Sequence, residues 1–325
     1  MDKVIRWGII GCGDVTEIKS GPAYQNTEGF ELNAVMRRDV AKAEDYAKRH
    51  QVPKFYGVAE DLINDPDVDA VYIATPPDSH ETYALKVAEA GKICCIEKPM
   101  APTYDACMRI NDAFEKGNLP LFVAYYRRSL PRFDQIKAWL DAGEIGAIRH
   151  VNWTLTKPPS ENDLSKAYNW RTDKSIARAG YYDDLASHGL DLFAYLLGPV
   201  SEANGIAINQ QQLYSAMDAV TGSWLHDSGV TGSGSWNFAS EEQQDRVEIF
   251  GSKGTIAFAV FDEAPIFLKK EDTEKSLSIA HPKHVQQFHV QRMATDLFQQ
   301  KNHPSTGKTA VHTAWIMECM LQNVK

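Results

Sequence analysis

The stretch Val4-Ile5-Arg6-Trp7-Gly8-Ile9-Ile10-Gly11-Cys12-Gly13-Asp14-Val15-Thr16 decides how this chain is read. Its first half is apolar and rich in β-branched residues, as a buried strand requires, and it runs into two glycines one residue apart. The sequence then turns helical, which is the strand–turn–helix setting of a dinucleotide-binding turn. Gly11 permits the tight turn. Gly13 lets the backbone approach a pyrophosphate, and the helix amino terminus offers free N–H groups to the anion. The third glycine of that pattern is replaced by Thr16, at the residue that normally allows close helix–strand packing.

Outward from this turn, strand-like runs at 4–10, 31–35, 70–74, 93–96 and 121–124 alternate with helix-like segments at 15–26, 40–50, 80–90 and 104–115. That alternation predicts right-handed βαβ units and a parallel sheet. Thr103 or Asp105 starts the helix near Tyr104 and Gly117 ends it. After about residue 125 the character changes. A helix at 130–140 and an alternating strand at 148–156 precede a β-meander from about 200, with turns at Asp227-Ser228-Gly229 and 251–254. A helical end at 284–321 is interrupted near Pro304-Ser305-Thr306-Gly307. The expected fold is α/β: a parallel-sheet nucleotide-binding domain at 1–125, then an α+β domain at 126–325 with a large, mostly antiparallel open sheet. Trp224 and Trp236 lie on one face of that sheet, which is either covered by the domain's own helices or an interface.

The chain has 325 residues, too many for one ordinary core, with 43% hydrophobic and 24% charged residues, the balance of a soluble globular protein. Its 34 basic and 43 acidic residues give a formal charge of −9, which argues against general affinity for nucleic acid or anionic membrane. Five scattered cysteines without zinc spacing read as reduced, packing thiols. Met1-Asp2-Lys3 leads straight into the first strand with no signal-peptide pattern, and no apolar stretch is long enough to span a bilayer. The expected location is cytoplasmic.

Four segments bear on chemistry. The second strand ends Ala34-Val35-Met36-Arg37-Arg38, where an NAD-binding chain usually places an acid for the ribose 2′-hydroxyl. Two guanidinium groups suit a 2′-phosphate instead, so NADP(H) is the expected cofactor, with NAD(H) second. Asp39 is expected to cap the next helix. Thr75-Pro76-Pro77 stiffens the loop beyond the strand at 70–74, and His80 falls at a helix start. Glu97-Lys98-Pro99 closes an apolar strand at the sheet edge where open α/β sheets hold ligands, although a strand-end lysine reaching solvent is the plain alternative. Asp184 and His188 are four residues apart and share one helix face; they read as a salt bridge, as two metal ligands lacking a third, or as an acid–base pair.

Taken together, Gly11-Cys12-Gly13, Ala74-Thr75-Pro76-Pro77 with His80, Glu97-Lys98-Pro99, Asn169-Trp170-Arg171 and the run from Gly180 to Asp191 resemble the Gfo/Idh/MocA oxidoreductases, along essentially the whole chain. The resemblance implies a Rossmann domain holding a nicotinamide cofactor and a sugar, cyclitol or related carbonyl/alcohol substrate. It implies cofactor contacts at Gly11, Cys12, Gly13, Val15, Arg37, Arg38, Thr75, Pro76, Pro77, His80, Glu97 and Lys98. It also implies Lys98 and His188 as the catalytic pair with Asp184 beside them, substrate contacts at Tyr126, Arg127, Trp170, Arg171 and Asp184, a cis bond before Pro99, and a homodimer or homotetramer through the open sheet. No metal is implied. Histidine suits the proton that accompanies hydride transfer, Lys98 suits polarising the substrate oxygen, and the two roles are interchangeable on sequence alone. Asp183, next to Asp184, must point elsewhere. Cys12 is either a thiol activated by a helix terminus or a small side chain under the cofactor. Two other functions compete: a nicotinamide-dependent glycoside hydrolase, and a non-catalytic NADP or sugar sensor.

Overall fold

β1 (Ile5–Ile10) is buried along nearly its whole length, as a central parallel strand must be. In the computed structural model, which describes residues 4–324, it is followed by α1 (Asp14–Ile18), α2 (Gly21–Gln25), β2 (Phe30–Met36), α3 (Val40–His50), β3 (Lys54–Tyr56), α4 (Ala59–Ile63), β4 (Ala70–Ile73), α5 (His80–Glu89), β5 (Ile93–Ile96), α6 (Tyr104–Gly117) and β6 (Leu121–Val123). Met1, Asp2 and Lys3 lie outside the described residues. The six strands are all parallel in the order β3-β2-β1-β4-β5-β6, the doubly wound dinucleotide-binding arrangement.

Two details differ from expectation. The helix expected at 15–26 is two short helices, because Pro22 lacks an N–H and its ring excludes a continuing helical carbonyl; it starts α2 instead. β3 and α4 were not read from the sequence: a three-residue strand between Pro53 and Gly57 has too little pattern to register. Thr103 caps α6 by accepting from the Ala106 N–H at 3.2 Å, and Asn118, in the left-handed region, closes it one residue beyond Gly117.

The second part holds α7 (Pro131–Asp141), β7 (Ile148–Thr156), α8 (Glu161–Leu164), α9 (Tyr181–Leu197), β8 (Val200–Ile208), β9 (Ala219–His226), β10 (Thr231–Asn237), β11 (Gln244–Gly251), β12 (Thr255–Phe258), β13 (Ile266–Lys270) and β14 (Thr273–Leu277). Then come α10 (Gln287–Gln299), α11 (Gly307–Met320) and β15 (Asn323–Val324). A nine-stranded sheet runs β14-β13-β12-β11-β7-β10-β9-β8-β15, antiparallel except for the β7–β10 and β8–β15 pairs.

The chain forms two compact units, Met1–Leu130 with Pro282–Val311, and Pro131–His281 with His312–Lys325. The division expected at 125/126 thus falls at 130/131, and residues 282–311, which the sequence reading assigned to the second part, belong with the first. The reason is packing: Val290, Met293 and Ala294 of α10 enter the core that also holds Trp7, Tyr24, Tyr46 and Tyr72. In the second unit, Trp153, Trp224 and Trp236 are buried on the sheet face that α9 covers, with Phe193 edge-on to Trp153 at 5.7 Å and stacked on Trp224 at 5.9 Å. The tryptophan face is therefore covered by the unit's own helix. The opposite face carries Thr221, Ser223, Thr231, Ser235 and a hydrogen-bonded His150–Ser233–Asn152 row.

Candidate active site

In the first unit, β1 ends because Gly11 takes φ +93°, a conformation that side chains resist. A Cβ there would also meet Thr75 Cγ2 at 2.8 Å. The turn is tied to the end of β2 by Gly11 N and Cys12 N, both donating to Met36 O. Thr16 is fully buried, and its hydroxyl turns back onto Gly13 O at 2.8 Å, which satisfies the polar atom that glycine or alanine would not have brought. Cys12 is buried, and burial pushes its thiol up to about 11, the opposite direction from an activated thiol.

A pocket of about 460 Å³ opens on this turn. It brings together Gly11, Cys12, Gly13, Arg37, Arg38, Thr75 and Pro76 of the expected cofactor residues, and adds Lys42 and Tyr83. A Cβ on Gly13 would meet nothing closer than 3.9 Å, so this glycine leaves open space beside the backbone where a pyrophosphate fits. Arg37 reaches back to Cys12 O at 3.3 Å, and Arg38 is exposed at the rim. Asp39 caps α3, accepting from Lys42 N at 3.3 Å, and pairs with Lys42 Nζ at 3.4 Å. Lys42 and Tyr83 went unread in the sequence, although Lys42 sits one helical turn from Arg38 and shares its charge.

Val15, Pro77, His80, Glu97 and Lys98 do not line that pocket. His80 is fully buried, with Nε2 2.7 Å from Thr75 O and Nδ1 3.1 and 3.2 Å from Pro99 O and Met100 O. It clamps the Thr75 loop to the turn after β5, and burial lowers its pKa. The Glu97 carboxylate accepts from Tyr72 Oη and Gln286 Nε2, each at 2.5 Å, and from Lys98 N at 3.2 Å. The Lys98–Pro99 peptide is cis. Lys98 is half-buried, and Arg127 stacks over the Tyr126 ring at 5.0 Å.

In the second unit, Asp184 and His188 lie on α9 and share a face. Arg171 Nε donates to Asp184 Oδ2 at 2.8 Å, and its guanidinium lies 4.3 Å from the Trp170 ring centroid. Asn169 holds that turn by accepting from Arg171 N at 3.1 Å. So Trp170, Arg171 and Asp184 form one group. His188 is 4% exposed, with the Phe261 ring edge-on at 5.8 Å. Asp183 points away, as expected, accepting from Ala179 N at 2.8 Å. Among the described residues no group of His, Cys, Asp or Glu is placed to hold a metal ion, and no helix is long and apolar enough to cross a membrane.

Burial pushes the Asp183 carboxyl up to about 6. A raised carboxyl pKa stabilises the fold fully below the unfolded value and loses that contribution as pH rises through the folded one. Two pK units correspond to at most about 3 kcal/mol, lost between about pH 4 and pH 6. Asp183→Asn keeps an oxygen for the Ala179 N–H and removes the charge. Urea unfolding at pH 4.5 and pH 8 is expected to show the variant gaining on the wild type at the higher pH; equal pH slopes would refute this.

Residues 5–125 match the model of an oxidoreductase family with an NAD-binding Rossmann fold, GFO_IDH_MocA, and residues 133–257 match the GFO/IDH/MocA C-terminal domain. Oxidoreductase P35 of Formosa agariphila is 37% identical over 319 residues, covering 98% of each chain. Two solved structures share the fold. A levoglucosan dehydrogenase in complex with NADH and levoglucosan has a TM-score of 0.86 at 21% identity, over 98% of this chain and 96% of that one. A 3-ketoreductase from Actinomadura kijaniata in complex with NADP and TDP-benzene has a TM-score of 0.85 at 18% identity, over 99% and 98%.

Proposed function

The chain belongs to the GFO/IDH/MocA oxidoreductases, which bind NAD(P), and from that membership we propose that it moves hydride between NADP(H) and a sugar, cyclitol or related carbonyl/alcohol. The observation that carries the cofactor choice is the rim of the 460 Å³ pocket: Arg37 and Arg38 supply two guanidinium groups, while the nearby acid, Asp39, is engaged in capping α3 and pairing with Lys42. A 2′-phosphate gains charge-assisted hydrogen bonds there, and a bare 2′-hydroxyl finds its acceptor already committed. NADPH is expected to bind at least tenfold tighter than NADH by fluorescence titration. Arg38→Ala is expected to remove most of that preference while leaving NADH affinity unchanged. Tighter NADH binding by the wild type would overturn the choice.

The bound nicotinamide supplies the hydride acceptor or donor at its C4 atom; the chain's own residues manage the rest. Gly11, Cys12 and Gly13 offer backbone to the pyrophosphate. His188 gives or takes the proton at the substrate oxygen, and Lys98 polarises that oxygen with its ammonium. Asp184, oriented by Arg171, accepts from a neighbouring substrate hydroxyl, and the Trp170 ring offers a face to a sugar ring. Tyr126 and Arg127 serve as further substrate contacts. The open face of the nine-stranded sheet, lined by hydroxyls and the His150 row, serves as the surface of a homodimer or homotetramer. Screening sugars, inositols and deoxy-ketosugars by NADPH absorbance tests the substrate class. Turnover of none of them, or release of a sugar from a glycoside without net NADPH change, counts against it.

A further inference from the structure

We propose that Gln286 is a positioning residue for Lys98, acting through Glu97. The inference rests on the role given to Lys98 above and goes beyond it, because Gln286 is 188 positions away in sequence and carries no motif.

Gln286 is 1% exposed and stands at the start of α10, in the returning segment of the first unit. Its backbone is fixed at both ends: its N–H donates to Lys19 O at 3.1 Å, and its carbonyl accepts from Val290 N at 3.0 Å. The side chain therefore projects from a rigid root. Its Nε2 donates to Glu97 Oε1 at 2.5 Å, the same oxygen that accepts from Tyr72. Glu97 is 9% exposed, and a carboxylate so placed needs donors to hold it. With Oε1 held by two neutral donors, Oε2 is left to accept from the Lys98 backbone N–H at 3.2 Å. Glu97 thus reads the position of α10 and β4 and passes it to the main chain of Lys98. Burial keeps the Tyr72 phenol protonated, so that donor does not vary over working pH. The arrangement accounts for an acid at position 97: a residue unable to accept three hydrogen bonds could not join these three elements.

The test compares Gln286→Leu with Gln286→Glu in the NADPH-bound protein. Two readouts are used: turnover of the best member of the sugar and inositol panel, and pulse labelling of Lys98 by acetic anhydride followed by mass spectrometry. Gln286→Leu removes the donor at similar volume. It is expected to lower kcat 10- to 100-fold and change the Lys98 labelling rate at least threefold, with NADPH affinity within threefold of wild type. Gln286→Glu can donate to Glu97 only when protonated, so its kcat relative to wild type is expected to rise as pH falls, which Gln286→Leu cannot imitate. Tyr72→Phe removes the other donor and stands in should Gln286→Leu fail to fold. Wild-type kcat and labelling in these variants, with Lys98→Met inactive, would overturn the proposal. So would a loss of kcat that merely follows lost NADPH binding, without pH recovery in Gln286→Glu. Near-wild-type turnover by Lys98→Met would instead remove the role assigned to Lys98, and the labelling result would still report whether Gln286 places it.

Discussion

Lys98→Met and His188→Asn are each expected to lower kcat by a factor on the order of 10² to 10⁴, the usual worth of a positioned proton-transfer or polarising group. NADPH affinity should fall far less, because the pocket formed by the glycine turn, Arg37 and Arg38 contains neither residue. The two variants separate by their pH profiles. If His188 moves the proton, the titrating limb of kcat/KM near neutral pH disappears in His188→Asn and survives, at lower height, in Lys98→Met. A limb that survives in His188→Asn and vanishes in Lys98→Met exchanges the two roles. Near-wild-type turnover in either variant removes that residue from the chemistry. Asp184→Asn provides a graded control: it keeps an acceptor for a substrate hydroxyl but loses the charge that pairs with Arg171 at 2.8 Å, so its main effect is expected in KM.

The parts of the fold that were legible in the sequence are those whose signals are local. β1, β2, β4, β5 and β6 fall within a residue of their expected bounds, because buried parallel strands are short apolar runs set off by turns. β7 matches at both ends because its two faces differ, and alternation marks them. β14, Thr-Glu-Lys-Ser-Leu, is exposed along nearly its whole length, so it has no pattern to show. The return of residues 282–311 to the first unit was invisible for another reason. It depends on Val290 and Met293 fitting a core built by residues more than 160 positions earlier, and no local rule encodes that. The site divides in the same way. Gly11, Gly13, Arg37 and Arg38 lie in contiguous motifs, and the structure gathers all four around one pocket. His80 and Glu97 also fall in motifs, but their hydrogen bonds to Thr75, Pro99, Tyr72 and Gln286 join distant segments and have no local signal. A motif records that a residue matters without saying which way its side chain faces.

Gly189→Ala is expected to destabilise the protein by about 1–3 kcal/mol or more, against the usual gain of up to about 1 kcal/mol for the same change in an exposed helix. The sign turns on one ring. A Cβ on Gly189 would lie 2.3, 2.5 and 2.8 Å from three atoms of Trp153. That ring has nowhere to go. It is fully buried, its Nε1 donates to Asp245 Oδ1 at 3.0 Å, and it is edge-on to Trp236 at 5.6 Å and stacked on Phe261 at 6.4 Å. Asp245 also accepts from Phe261 N at 2.6 Å, which fixes the second ring. With the sheet side rigid, α9 must shift instead, and His188 precedes Gly189 on that helix while the Phe261 ring packs against it. The variant is therefore expected to lose kcat as well as melting temperature, by several degrees, while NADPH affinity is unchanged, since the nucleotide pocket belongs to the other unit. Trp153→Phe makes room at the cost of the Asp245 hydrogen bond. In a double-mutant cycle the Gly189→Ala penalty should shrink by at least 1 kcal/mol in that background. Strict additivity would mean that the helix accommodates the methyl group elsewhere, and the coupling between Gly189, Trp153 and His188 would have to be abandoned.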